Sequence, residues 1–157
     1  MQQPEFTTLS LTLADHIAEV RLNRPDKSNA INEAMWQEIR QAFEWIDATP
    51  EARVVILSGA GKNFCAGIDL AMLAGVQQRI AHADGARSRE ALRRLILDLQ
   101  DCLSSLERCG KPVIAAIQGA CVGGALDLVT CCDLRYASAD ATFSIKEIDI
   151  GMVADVG

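Results

Sequence analysis

Short apolar segments alternate with helical patterns along this chain, and glycine-rich turns join several of them. The clearest case starts with a β-branched, apolar pattern at Val113 to Gln118. After the glycine pair Gly123-Gly124 it continues as a helical pattern that ends at Cys132. Strands of this length that alternate with helices are typical of α/β proteins. We therefore predict an α/β fold in a single domain, which 157 residues of 50% hydrophobic content are enough to build.

The remaining elements are predicted from the same periodicities. They are a hairpin of Thr7–Leu13 and Ile17–Leu22, a helix capped by Asn32 and ended by Thr49-Pro50, a strand at Val54–Ser58, a long helix with a leucine stripe from Leu92 to Leu106, and strands at Leu134–Ala137 and Thr142–Ile145. Between Gly75 and Gly85 the pattern weakens, which predicts a mobile or variable connection.

Charge and composition exclude several classes of protein. The net charge of -6 argues against a general nucleic-acid binder, which would present a basic face. No apolar run is long enough to predict a membrane span, and the N-terminus has no targeting pattern, so we expect a cytoplasmic protein. The six cysteines form no CxxC pair, and the chain has only two histidines that could complete a metal site with them. We therefore predict buried thiols and no metal site.

Two glycine-containing turns follow apolar strands and could expose backbone N–H groups. The Gly124 N–H would lie at the start of a helix, and the turn at Ala66-Gly67 follows the strand Val54–Ser58 in the same way. If the two turns converged, they would form an oxyanion hole. The alternative is that these glycines only relieve strain in tight turns.

Three acids after the second turn, Asp127, Glu147 and Asp155, are candidates for proton transfer. Each has a structural alternative. Asp127 could be a first-turn helix acid, as could Asp69 after the first turn. Glu147 follows Lys146 and could form a surface ion pair. Asp155 lies among apolar residues, so it belongs either to a surface turn or to a functional cleft.

Four ordered motifs carry a resemblance to a known family. They are Asn23-Arg-Pro25, Asn63-Phe-Cys-Ala-Gly-Ile-Asp-Leu70, Lys111-Pro-Val-Ile-Ala-Ala116 and Gly119-Ala-Cys-Val-Gly-Gly-Ala-Leu-Asp127. Together they resemble the enoyl-CoA hydratase/isomerase, or crotonase, superfamily. The resemblance implies a crotonase-like superhelix of repeated ββα units, in which residues 1–157 form an acyl-CoA-binding catalytic core. It also implies that C-terminal helices, which help to assemble trimers or hexamers, are missing, so we expect this chain to be the N-terminal part of a longer protein.

The resemblance also implies roles for individual residues. The amides of Ala66 and Gly124 would bind the thioester oxygen of an acyl-CoA substrate. The CoA would be held by two segments, Lys27, Ser28, Asn29 and Ala30 in the first, and Ala66, Gly67, Ile68, Asp69 and Leu70 in the second. CoA is part of the substrate, and no metal or other cofactor is expected.

The acids point to one branch of the superfamily. Enoyl-CoA hydratases carry glutamate where this chain has Asp127, whereas Asp127, Glu147 and Asp155 together resemble the Δ3,5-Δ2,4-dienoyl-CoA isomerases of fatty acid β-oxidation. By that resemblance Glu147 would remove the C2 proton, Asp155 would deliver a proton at C6, and Asp127 would support the charge pattern or position the acyl chain. A 2-enoyl-CoA hydratase is the alternative enzyme, and a crotonase-like scaffold or RNA-binding relative is the alternative without activity.

Overall fold

The computed structural model describes residues 2–151, 153, 154 and 156. For residue 150 it describes the backbone only. Over these residues the chain alternates strands and helices, as predicted. The strands are β1 (Leu9–Ala14), β2 (Ile17–Leu22), β3 (Val54–Gly59), β4 (Val113–Ile117), β5 (Ala120–Val122), β6 (Leu134–Ala137) and β7 (Thr142–Ser144). The helices are α1 (Glu33–Asp47), α2 (Leu70–Ile80), α3 (Gly85–Arg108) and α4 (Gly124–Thr130), with short 3-10 turns at Pro25–Lys27 and Glu147–Ile150.

Five of these strands form one sheet in the order β1-β2-β3-β4-β6. The first two strands are an antiparallel hairpin in which Leu9 pairs with Leu22, and the later neighbours are all parallel. The hairpin turn uses Asp15 and His16, both with positive φ, which matches the right-handed twist of the strands that it joins. Strands β5 and β7 form a separate parallel pair. The α/β prediction is confirmed, and two-strand-plus-helix units are visible in β1-β2-α1 and β4-β5-α4.

One hydrophobic core lies between the large sheet and helices α1 and α3. The inward-facing residues of the parallel strands are fully buried; they include Val55, Leu57, Val113 and Ala115. Helix α1 contributes Trp36, Ile39 and Phe43, and α3 contributes Leu99, Leu103 and Leu106, the residues of the predicted leucine stripe. Both tryptophans are buried in this core, so they are packing residues.

The segment between Gly75 and Gly85 differs from its prediction. Helix α2 continues without a break to Ile80, and α3 begins at Gly85 after Asp84 caps it by accepting a hydrogen bond from the Ala86 N–H. No residue of α2 is fully buried, so its sequence is under little pressure to keep a hydrophobic period. A weak pattern therefore marks a helix on the surface.

The cysteines agree with the prediction of reduced thiols. All six are free; Cys109 and Cys131 are half-buried and the other four are buried. Burial raises the pKa of Cys65 and Cys132 to about 12, so these thiols stay protonated at neutral pH. None of the helices built from the described residues has the length and hydropathy that crossing a bilayer requires.

Glu38 on α1 connects the first strand to the helix layer. Its carboxylate accepts hydrogen bonds from the backbone N–H and the hydroxyl of both Thr7 and Thr8, at 2.5–2.9 Å. Partial burial alone would raise the pKa of Glu38, but these four hydrogen bonds outweigh it and hold the pKa below its ordinary value of 4.5.

We expect Glu38→Gln to lower the free energy of unfolding by about 1–2 kcal/mol at neutral pH, because an amide cannot accept all four hydrogen bonds. Water partly screens this site, which keeps the loss small. A lowered pKa stabilises the fold above the unfolded-state value, and this contribution is lost as the pH falls through the folded-state pKa. Urea unfolding of both proteins should therefore show a difference that disappears in acid. Glu44→Gln, which changes an exposed carboxylate on the same helix, is the control, and an equal loss there would contradict the assignment.

Candidate active site

A cavity of about 520 Å³ opens where the loop before α1, the segment before α2, the start of α4 and the second 3-10 turn meet. Its lining is mostly small or apolar, with a few charged groups. The residues that line it are Lys27, Ser28, Ala30, Ala66, Gly67, Ile68, Asp69, Leu70, Leu73, Val122, Gly123, Gly124, Lys146, Glu147 and Asp149. Most of the predicted site residues are thus brought together by the fold, from positions more than a hundred residues apart.

The turn from β5 into α4 presents one backbone donor to this cavity. Gly123 has φ 56° and donates its N–H to the Ser144 carbonyl oxygen at 2.9 Å. Gly124 is the first residue of α4, so its N–H lies before the first internal hydrogen bond of the helix. Among the described residues no acceptor bonds the Gly124 N–H, which leaves it available to a ligand.

The second donor is Ile68 rather than the predicted Ala66. The Ala66 N–H already donates to the Ser28 carbonyl oxygen at 2.9 Å, so the prediction for Ala66 is wrong. The N–H groups on either side of Ile68 are also used, because Gly67 donates to the Cys65 sulfur and Asp69 to the Ile31 carbonyl oxygen. Within the described part of the chain, the Ile68 N–H has no such acceptor.

The two remaining N–H groups are close to each other. A Cβ atom on Gly124 would lie 3.9 Å from the Ile68 nitrogen, and one on Gly67 would lie 3.4 Å from the Gly124 nitrogen. Two backbone donors that converge on one end of a cavity can bind an oxygen that gains negative charge during a reaction. No pattern in the sequence separates Ile68 from Ala66, because the choice depends on which N–H groups bond to the neighbouring loop.

Glu147 places a carboxylate beside these donors. It begins the second 3-10 turn, and its Oε1 would be 3.0 Å from a Cβ atom on Gly123. Its Oε2 is buried and has no hydrogen-bond partner among the described residues. The alternative of a Lys146–Glu147 surface pair is wrong, because Lys146 pairs instead with Asp149 at 2.6 Å. A carboxylate held in this way is placed to accept a proton from a bound ligand.

The other two candidate acids differ in what the structure says about them. Asp127 lies in the first turn of α4, half-buried, and it is not one of the described residues that line the cavity. Its role stays a prediction. Asp155 lies outside the described residues, so its role also stays a prediction.

Asn29 does not face the cavity as predicted. It is fully buried, and its amide group donates to the carbonyl oxygens of Ala60, Asn63 and Phe64. Its neighbours Lys27, Ser28 and Ala30 do line the cavity. A side chain that bonds three carbonyls inside the protein cannot also bind a ligand, so the prediction of direct substrate contact is wrong for Asn29.

Asp69 and Arg24 connect the cavity walls, and sequence reasoning overlooked Arg24. The Asp69 carboxylate caps α2 by accepting from the Ala71 N–H and pairs with Arg24 at 3.0 Å. The hydrogen bond from Arg24 is the main reason why the pKa of Asp69 lies below its ordinary value. Arg24 also donates to the Ala30 carbonyl oxygen, which ties the first cavity wall to the second. Its place inside the motif Asn23-Arg-Pro25 was the available signal.

No group of three or more His, Cys, Asp or Glu side chains that could hold a metal ion occurs in the described part of the chain. The absence of a cofactor stays a prediction. The chemistry that this site can support with its own groups is stabilisation of an oxyanion by two amides, combined with proton transfer by a carboxylate.

Comparison with known proteins places this arrangement in a family. Residues 12–157 match the family model described as enoyl-CoA hydratase/isomerase. The chain belongs to this family. The crotonase-like fold predicted from the motifs is therefore confirmed, and a solved enoyl-CoA hydratase from Shewanella pealeana matches 97% of this chain with a TM-score of 0.85 and 32% identity. That match covers 54% of the hydratase chain.

The similar curated proteins of this family include dienoyl-CoA isomerases. The chain is 46% identical over 97% of its length to the mitochondrial Δ3,5-Δ2,4-dienoyl-CoA isomerase of Mus musculus, and 50% identical over 87% to the peroxisomal one of Arabidopsis thaliana. These matches cover 47% and 49% of the two relatives, so the chain spans about half of their length. A putative enoyl-CoA hydratase from Thermobifida fusca, solved in complex with acetoacetyl-CoA, matches 95% of this chain and 58% of its own with a TM-score of 0.77 and 31% identity.

Gly123 is the cavity glycine that lies directly against the Glu147 carboxylate. We expect Gly123→Ala to lower the free energy of unfolding by about 1–3 kcal/mol, because φ is positive and the new methyl group would press on the Glu147 carboxylate. Urea unfolding checks this. The matched control is Gly75→Ala on α2, where nothing lies within 4 Å of the new methyl group, and there we expect a gain of about 0.5–1 kcal/mol. Equal stability of the two variants would show that the Gly123 conformation is not required.

Proposed function

We propose that this chain is the oxyanion-binding and proton-abstracting part of a Δ3,5-Δ2,4-dienoyl-CoA isomerase. The observation that carries the proposal is the convergence of the Ile68 and Gly124 N–H groups beside the Glu147 carboxylate in one cavity. The identity of 44–50% to dienoyl-CoA isomerases from mammals and a plant supports the choice of reaction within the family.

The two N–H groups would act on the thioester. When a C2 proton leaves a 3,5-dienoyl-CoA, the negative charge spreads onto the thioester oxygen. Two fixed N–H donors bind that oxygen more strongly as an enolate than as a neutral carbonyl, so they lower the barrier to proton loss. Removal of one such donor typically costs about 3 kcal/mol of transition-state stabilisation.

Glu147 would accept the C2 proton. The electron pair of the broken C–H bond then extends through the conjugated chain, and protonation at C6 completes the shift of both double bonds to C2 and C4. We assign that second step to Asp155, and to Asp127 a supporting role in the charge pattern or in acyl-chain position. Both assignments rest on the resemblance to the isomerases. The exchange needs one carboxylate and one carboxylic acid, so their pKa values must differ.

The cavity walls would hold the substrate. Lys27, Ser28 and Ala30 on one side and Ala66 to Leu70 on the other form an opening lined mainly by small and apolar groups. The solved relative from Thermobifida fusca is in complex with acetoacetyl-CoA, which supports an acyl-CoA thioester as the ligand of this site. Assembly into a trimer or hexamer, and the absence of nucleic-acid and membrane partners, stay predictions.

The compartment also stays a prediction. The names of the mouse and Arabidopsis relatives place them in mitochondria and peroxisomes, so membership of the family does not favour our expectation of a cytoplasmic protein.

A 2-enoyl-CoA hydratase is the second candidate, because several similar solved structures are enoyl-CoA hydratases. In a hydratase, two acids would direct a water molecule to C3 of the substrate. Asp127 and Asp155 favour the isomerase, because by the resemblance hydratases have a glutamate at the first position and the isomerases have a third acid at the second.

The natural full-length protein should convert a 3,5-dienoyl-CoA to the 2,4-dienoyl product, followed by ultraviolet absorbance, and should hydrate a 2-enoyl-CoA poorly. Glu147→Gln should lower the isomerisation rate by about 10²–10⁴-fold, because the amide cannot accept the proton. Its affinity for the CoA ester should change little.

Glu44→Gln, an exposed change on α1 outside the cavity, is the control and should keep the parent rate. Efficient hydration without double-bond migration would reject the isomerase in favour of the hydratase. Full turnover by the Glu147 variant would remove that residue from the mechanism.

A further inference from the structure

We infer that Asn29 and Cys65 form a buried clasp that fixes the direction of the Ile68 N–H, which makes both of them positioning residues of the site. The inference rests on the proposed function, because it concerns the same oxyanion donor. Neither side chain lines the cavity, and both are fully buried.

Asn29 joins the first cavity wall to the segment that leads into the second. Its side-chain oxygen accepts from the Arg24 N–H at 2.9 Å. Its amide nitrogen donates to the carbonyl oxygens of Ala60, Asn63 and Phe64 at 2.8–3.0 Å. Asn29 has φ 55°, a left-handed conformation that asparagine tolerates better than most residues. A buried amide with this many partners holds the two loops at a fixed separation.

Cys65 continues the connection from Asn29 to the oxyanion segment. Its thiol donates to the Asn29 carbonyl oxygen at 3.1 Å and its sulfur accepts from the Gly67 N–H at 3.4 Å. Burial keeps the thiol protonated, so it can donate and accept at the same time. The same side chain therefore contacts the first wall and the residue directly before Ile68.

The contact with Gly67 is important because that residue is a glycine with φ 88°. Glycine has the widest range of backbone conformations, so its peptide planes need external partners to stay fixed. The Gly67 carbonyl oxygen accepts from the Ile31 N–H at 2.8 Å, and the Gly67 N–H is held by the Cys65 sulfur. The Gly67 carbonyl and the Ile68 N–H belong to one peptide plane, so holding Gly67 on both sides restricts the direction of the Ile68 N–H, whose nitrogen lies near Gly124.

Loss of the thiol would affect catalysis more than binding. The Ile68 N–H contributes most when the thioester oxygen carries the charge of an enolate, and a small change in its direction weakens that interaction selectively. Replacing a residue that only fills space in the core would lower the free energy of unfolding, but it would not lower kcat selectively while KM stays the same. This difference provides the test.

The experiment compares four variants of the full-length protein. Cys65→Val keeps the approximate size but loses both hydrogen bonds, and we expect kcat to fall about 10- to 100-fold with KM within about twofold. Cys65→Ser keeps a group that donates and accepts, and we expect kcat within about threefold of the parent. Asn29→Asp loses the amide donors and should resemble Cys65→Val.

Cys121→Val is the matched control. Cys121 is also fully buried and lies opposite Cys65 in a parallel bridge, and its thiol makes no hydrogen bond to the described residues. We expect its kcat to stay within about twofold of the parent. If Cys65→Val fails to fold, Cys65→Ala, which cannot clash, takes its place. An equal loss of kcat in the Cys65 and Cys121 variants, or no loss in either, would overturn the clasp.

A second measurement separates this inference from the proposed function. Bound acetoacetyl-CoA absorbs in the ultraviolet as its enolate, and an intact pair of N–H donors should raise the enolate fraction without any isomerisation. We expect the enolate absorbance to fall in Cys65→Val and to return in Cys65→Ser. A parent protein that forms the enolate but does not isomerise dienoyl-CoA would refute the proposed function alone. Unchanged enolate absorbance in Cys65→Val would refute the clasp alone.

Discussion

Two single-residue parallel bridges determine which groups of this protein are free to act on a ligand. Ile31 pairs with Ile68, and Cys65 pairs with Cys121, so the segment between β3 and α2 is held from both sides. Buried backbone groups must find partners, and these bridges, with the Ser28 carbonyl and the Cys65 sulfur, engage the N–H groups of residues 65, 66, 67 and 69. The Ile68 N–H is the one in this segment that they leave for the cavity.

The backbone has to approach itself closely for this arrangement to exist. A Cβ atom on Gly67 would come within 2.5 Å of the Val122 carbonyl oxygen, so only glycine allows β5 and the oxyanion segment to lie so near. The same close approach brings the start of α4, and with it the Gly124 N–H, next to Ile68. The two donors are thus fixed by main-chain packing before any ligand binds, which is the condition under which such donors are effective.

The charged side chains around the cavity differ in whether they form an ion pair. Arg24 is paired with Asp69, and Lys146 is paired with Asp149. The first pair joins the two cavity walls, and the second lies within the 3-10 turn that carries Glu147. The buried Oε2 of Glu147, by contrast, is bonded by none of the described residues, which is consistent with the proton-transfer role that we propose for it.

The sequence by itself determined the α/β fold, the positions of the described strands other than β5 and of most helices, and the turns on which the site is built, because these depend on local periodicity and on glycine placement. It also predicted Gly124 and Glu147 as site residues, and both line the cavity. Tertiary structure decided the remaining points. The sequence does not distinguish Ala66 from Ile68 as a donor. In the structure the Ala66 N–H bonds to the Ser28 carbonyl oxygen, whereas the Ile68 N–H has no acceptor among the described residues. In the same way Asn29 stands among cavity residues in the sequence, yet its side chain turns inward because three carbonyl oxygens from a distant loop need a donor.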